Sequence, residues 1–132
     1  MNLQGIAHVA IATTNLDRTK YFYSHVLGAE VARCYEDRVT FKFCDYQLVC
    51  HLSDSSLIRQ TTMYPYHFGF TFIEHAQFDS LYQRLVSLNV SFYKPVFIRF
   101  QNLAEEHLSF VIQDPDGHYL EFKHYIDPAK MY

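Results

Sequence analysis

Apolar and polar positions alternate along much of this chain and break it into short strands around two longer helical stretches. Residues 66–73 put Phe68, Phe70 and Phe72 on one parity and His67, Gly69 and Thr71 on the other. Successive side chains leave a strand on opposite faces, so this segment reads as a half-buried strand with an imidazole heading its polar side. Residues 5–12 make a similar strand around His8, and 29–35, 38–44 and 46–52 read as three more, separated by the turn signals Glu36-Asp37 and Asp45. Further strands fall near 91–99, 107–113 and 118–124, with Asp114-Pro115-Asp116-Gly117 between the last two as a turn of strong chemistry.

The helical stretches carry their own punctuation. Asn15 stands where a helix cap belongs, and Leu16, Phe22, Tyr23, Val26 and Leu27 follow at helical spacing up to Gly28 at the C′ position. Phe78, Leu81, Tyr82, Leu85 and Val86 repeat that spacing, and Asn89 takes the place of Gly28. The order is therefore strand, helix and three strands, stated twice across a polar connector at 53–65. Helix ends are offset by 89 − 28 = 61 residues and the strand histidines by 67 − 8 = 59, as an internal duplication requires. Neither half can hide its sheet alone, which predicts a single α+β domain over 1–132 with modules at about 5–52 and 66–124.

Parity also sorts the faces. Val9, Ile11, Leu48, Cys50, Leu120 and Phe122 share the apolar sides, which suit the helices. The opposite sides carry His8, His51, His67 and Glu121 among small and polar neighbours. Under the duplication His8 matches His67, and His51 is expected to match Glu121. Two imidazoles and a carboxylate form the facial set that leaves positions open on a divalent ion. Open positions let substrate oxygens reach the metal. Taken singly, each histidine reads as a structural residue; the duplication is what joins His8, His67 and Glu121 as ligands.

Composition narrows the classes further. The 132 residues include 23 Tyr and Phe, which suits a packed globular core. A net charge of −3 without a basic, aromatic-interleaved cluster argues against nucleic acid. The absence of an apolar run near ~18 residues excludes a transmembrane helix, and the N-terminus lacks the charged start of a signal peptide. Cys34, Cys44 and Cys50 show no paired spacing and read as reduced thiols of a cytoplasmic protein.

The segments HVAIATTNLDRTKYFYSHVLGAE, YHFGFTF and DPDGHYLEF resemble the vicinal oxygen chelate superfamily, which includes glyoxalase I, extradiol dioxygenases and the fosfomycin- and bleomycin-resistance proteins. The resemblance spans about residues 5–124. It implies two βαβββ modules forming a cupped, partly open mixed sheet around a divalent metal that chelates vicinal oxygens of a small-molecule substrate. It places the ligands on His8, His67 and Glu121. His51 falls near the fourth ligand of glyoxalase I and reads as a nitrogen ligand or an acid/base; the glutamate of that enzyme is absent. Val111 stands where ring-cleaving dioxygenases have a tyrosine, and His107 becomes the substitute proton donor. Tyr119 is a further substrate-contact candidate. A fosfomycin-type reaction would draw on Arg99, Lys123 and Lys42, which otherwise read as solvated strand residues.

Two histidines with one carboxylate are an iron(II) set, so the expected activity leans to dioxygenase chemistry, with zinc, nickel or manganese as alternative ions. The alternatives to that activity are a glyoxalase-type lyase or isomerase and a non-catalytic, bleomycin-resistance-like binding protein. Members of the superfamily pair, some building each site from two chains, which implies a homodimer.

Overall fold

A computed structural model describes residues 1–54 and 60–132 of the chain; part of the 53–65 connector, residues 55–59, lies outside the described residues. The chain forms two compact units, Met1–Arg59 and Gln60–Tyr132. The first contains β1 (Ala7–Thr13), α1 (Leu16–Tyr21) continued by a π-helical turn (Phe22–Val26), β2 (Glu30–Cys34), β3 (Arg38–Phe43) and β4 (Tyr46–Leu52). The second contains β5 (Phe68–Thr71), α2 (His75–Ser87), β6 (Phe92–Arg99), β7 (His107–Gln113) and β8 (Tyr119–Tyr125), followed by a short 3₁₀ turn at Pro128–Lys130. The fold class is α+β, with one βαβββ module in each unit.

The sheets repeat one topology. Their orders are β1-β4-β3-β2 and β5-β8-β7-β6, with the outer pairs β1/β4 and β5/β8 parallel and the others antiparallel. A parallel pair needs a crossover between its strands, and each module supplies one through its helix and two intervening strands.

Local chemistry explains the helix ends. The Asn15 side chain accepts from the Arg18 backbone N–H at 2.9 Å, satisfying a donor of the first turn. Gly28 takes φ +78° after the first helix, and Asn89 takes φ +56° after the second. Asparagine tolerates this left-handed conformation better than most side chains, which is why it can stand in for glycine there.

Each helix lies on the apolar face of its own sheet. Tyr23 is fully buried, its ring 5.4 Å from Phe41. In the second unit Phe78 and Tyr82 both bring their rings within 5.2 Å of Phe110, which stacks on Phe122 at 5.1 Å. Burying a side chain of this size contributes about 1.5–3 kcal/mol, so these clusters hold the helices down.

Register corrects one expectation. In the first unit Ala10 pairs with Val49 and Ala12 with His51; in the second Gly69 pairs with Glu121. With His8 matched to His67, Ala10 matches Gly69, so the counterpart of Glu121 is Val49. His51 stands two residues farther along β4, exposed at the strand end.

Candidate functional site

Strand β5 starts at Phe68, so His67 sits just ahead of the ladder rather than within it. Its ring is held locally: His67 Nδ1–H donates to the Met63 carbonyl at 2.9 Å, and the Tyr64 ring meets it edge-on with centroids 5.6 Å apart. A backbone carbonyl only accepts, so a proton resides on Nδ1, and in the neutral ring it is Nε2 that carries the lone pair.

Nε2 faces Glu121. His67 Nε2 lies 3.3 Å from Glu121 Oε1, and the carboxylate is 3% exposed. The turn before β8 sets its position. Asp114 Oδ1 accepts from the backbone N–H groups of Asp116 and His118, both at 2.9 Å, and Gly117 supplies φ +90°. The second carboxylate oxygen, Oε2, accepts from the fully buried Ser109 hydroxyl at 2.5 Å. Arg99 Nη1 approaches Oε2 at 3.8 Å, Lys123 Nζ approaches Oε1 at 3.9 Å, and Arg99 also donates to the Tyr64 hydroxyl at 3.2 Å. Two cations against one carboxylate leave a surplus positive charge here. His67, Gly69, Thr71, Glu121 and Lys123 line a cavity of about 190 Å³ beside them, smaller than a drug-sized pocket.

Gly69 has a reason that its neighbours in sequence do not disclose. A Cβ on it would meet the Glu121 carbonyl oxygen at 1.6 Å, the carbonyl carbon at 2.6 Å and the amide nitrogen at 2.9 Å. The glycine is required by the close passage of β8, and so by the same strand that delivers the carboxylate.

His8 stands on the polar face of the first sheet. It is exposed, and its Nδ1–H donates to Gln47 Oε1 at 2.7 Å. A cavity of about 520 Å³ in that unit is bordered by Thr40, Lys42 and Gln47, which share this face. Among the described residues no three His, Cys, Asp or Glu side chains converge as a metal cluster; within the second unit His67 and Glu121 come together.

The remaining candidates occupy distinct surroundings. His107 is 3% exposed; its Nδ1–H donates to the Glu105 carbonyl at 3.0 Å, while Nε2 has no hydrogen-bond partner among the described residues. The rings of Tyr125 and Phe100 lie 4.5 and 5.9 Å from it. Tyr119 packs with Met63 and Val111, and burial, then the Tyr93 phenol beside it, pushes its own phenol above the ordinary tyrosine range. Sequence reasoning passed over Ser109, Tyr64 and Gln47 as site residues and set Arg99 and Lys123 aside. Ser109 shares the parity of His107 along β7, but only the strand register carries it to Glu121, on the neighbouring strand.

Because Ser109 is buried and donates to a charged acceptor, Ser109→Ala is expected to cost about 1.5–3 kcal/mol. Chemical denaturation of the metal-free protein measures that loss.

This fold and histidine–carboxylate pairing define a member of the vicinal oxygen chelate class. The chain belongs to the Glyoxalase/Bleomycin resistance protein/Dioxygenase superfamily, which it matches over residues 5–122. It is similar to two proteins named metallothiol transferase FosB. The one from Lysinibacillus sphaericus is 28% identical over 92% of this chain and 83% of its own length; the one from Shouchella clausii is 30% identical over 90% and 79%. A glyoxalase/bleomycin resistance protein/dioxygenase crystal structure from Alicyclobacillus acidocaldarius is 43% identical with a TM-score of 0.89, covering 97% of this chain and 96% of that one. The fosfomycin resistance protein FosX from Listeria monocytogenes shares the fold, with a TM-score of 0.74 at 19% identity over 99% of this chain and all of that one. Among the described residues no helix is long and apolar enough to cross a membrane.

Proposed function

We propose that this protein is a divalent-metal enzyme that joins a thiol sulfur to an electrophilic carbon of a small, oxyanion-bearing substrate, a C–S bond forming as a C–O bond breaks and the thiol proton passing to the released oxygen. The observation that carries the reading is the His67–Glu121 pair. Two donors about 2.0–2.2 Å from one ion at neighbouring tetrahedral or octahedral positions stand about 2.9–3.5 Å apart, and these donors are 3.3 Å apart. The His67 tautomer and the Ser109 hydrogen bond already aim both lone pairs, so the donor set fits a metal.

His67 and Glu121 would hold the ion, with His8 as the third ligand from this chain or from a second copy in a homodimer. A bound divalent ion supplies Lewis-acid polarisation of a substrate oxygen. Arg99 and Lys123 then face the substrate's negative charge and orient it, which is electrostatic positioning by groups already in place. His107 offers Nε2 as a proton acceptor, and the neutral Tyr119 phenol is a donor at the margin of the site. His51, exposed at the end of β4, is a peripheral acid/base, and Val49 at the Glu121-equivalent position supplies no fourth ligand.

The surplus of cations beside Glu121 and the names of the curated relatives favour thiol transfer over a glyoxalase-type reaction or ligand binding without turnover. The second reading is iron(II) oxygenase chemistry, supported by the two-histidine, one-carboxylate set. Elemental analysis of protein purified without chelators tests the metal and identifies it. One divalent ion per site is expected, lost in His67→Ala; a chain without stoichiometric metal, or a variant that keeps it, overturns the reading. Thiol consumption with phosphonate-bearing acceptors then separates transfer from oxygenation. Mixing His8→Ala and Glu121→Ala chains is expected to restore metal uptake at one site in two of each mixed dimer if two copies share each site.

A further inference from the structure

We infer that Gln47 is a positioning residue for His8: its side-chain oxygen holds the proton on Nδ1 and so presents Nε2 as the ligand atom. The consequence for metal binding rests on the proposed function above; the tautomer itself rests on geometry alone.

The two residues face each other by register, His8 on β1 pairing with Gln47 on β4, and the hydrogen bond at 2.7 Å is at the short end for an N–H donor. Both side chains are exposed, so water competes for each of them and the apolar core does not force them together. The second unit reaches the same ring state by another route. Extending its register one step beyond Phe68–Leu120 places Tyr119 in the position that Gln47 holds in the first unit. Tyr119 is instead committed to the buried cluster with Met63 and Val111, and the Met63 carbonyl takes the His67 Nδ1–H. Matched histidines in the two halves thus each have Nδ1 satisfied by an oxygen, so that in the neutral ring Nε2 is the lone-pair nitrogen.

The acceptors differ in kind. A carbonyl can only accept, whereas a carboxamide offers either its oxygen or its NH₂. With the oxygen toward His8, Nε2 is free to bind a cation. With the NH₂ toward it, Nδ1 becomes the acceptor, Nε2 carries the proton, and that nitrogen cannot bind. The amide orientation at position 47 is therefore coupled to metal uptake, because a neutral imidazole ligates through the nitrogen that its other hydrogen bond leaves bare. Lys42, Gln47's partner across β3/β4, gives a carboxylate at this position a nearby counter-charge.

Long-range ¹H–¹⁵N spectra of ¹⁵N-labelled, metal-free protein read the His8 tautomer directly, and calorimetric titration with Zn²⁺ reads the affinity. The Nδ1–H form is expected in the native chain and in Gln47→Glu, whose acceptor-only side chain preserves Zn²⁺ binding. Gln47→Leu is expected to shift His8 toward the Nε2–H form and to weaken Zn²⁺ about 10–100-fold, with the amide spectrum otherwise unchanged. A Gln47→Leu protein that keeps the Nδ1–H form overturns the inference, as does one that keeps its Zn²⁺ affinity while His8→Ala loses it. If His8→Ala and His67→Ala both bind Zn²⁺ as the native chain does, it is the metal reading that fails, and the spectra still decide the role of Gln47.

Discussion

Glu121→Gln is expected to abolish stoichiometric metal uptake while leaving the fold intact. The amide keeps the shape of the side chain and can still accept from Ser109. It lacks the negative charge that a divalent ion requires, and it presents either a weaker oxygen or an NH₂ toward His67 Nε2. Outer hydrogen-bonding partners of metal ligands commonly change affinity 10–100-fold, so loss of a ligand is expected to exceed about 100-fold. The cost to the metal-free protein is smaller. Breaking a buried ion pair costs about 3–5 kcal/mol when the remaining charge is sealed off. Here the remaining charges are Arg99 and Lys123, 33% and 32% exposed, which water can reach. A destabilisation below about 3 kcal/mol is therefore expected. Titration calorimetry and thermal unfolding of the same sample separate the two effects; unchanged metal affinity would remove Glu121 from the ligand set.

Gly69→Ala is expected to have the opposite profile, with the fold failing first. The added methyl would have to share space with the backbone of Glu121, its oxygen 1.6 Å away, and backbone held in a ladder cannot swing aside as a side-chain tip can. Strands β5 and β8 must separate or β5 must unpair, and β5 has only four residues to hold it. A loss above about 4 kcal/mol, at the extreme of single substitutions, is the expected scale. Urea unfolding followed by circular dichroism measures it. A Gly69→Ala protein of native stability would mean that the strands have slack that their register does not suggest.

The sequence pattern exposed faces more readily than partners. Alternation alone separated Phe68, Phe70 and Phe72 from His67, Gly69 and Thr71, and the caps at Asn15, Gly28 and Asn89 marked helix ends that the structure reproduces. The same alternation is blind to a slip of two residues, because the face repeats at that interval. That is why His51 passed for the counterpart of Glu121 until pairing with β1 put Val49 there. The alternation shows Gly69 only as a small residue on the polar parity; its cause, the backbone of β8, is a tertiary contact with no local signature. The burial of His107 likewise depends on the loop after β6, where Phe100 and Asn102 take positive φ without the glycine that would have announced such a turn. Arg99 and Lys123 looked solvated because strand residues of their type usually are; only the sheet converges them on one carboxylate.

The carbonyl that orients His67 belongs to the main chain at position 63, and every amino acid carries one. A substitution at Met63 disturbs a buried side chain but does not withdraw that acceptor, so the proton on His67 Nδ1 keeps its partner. His8 has no such insurance, since most codon changes at position 47 replace its acceptor. Variation among relatives in how firmly this kind of site grips its ion would then accumulate on the first half of the chain, leaving the second as the fixed point.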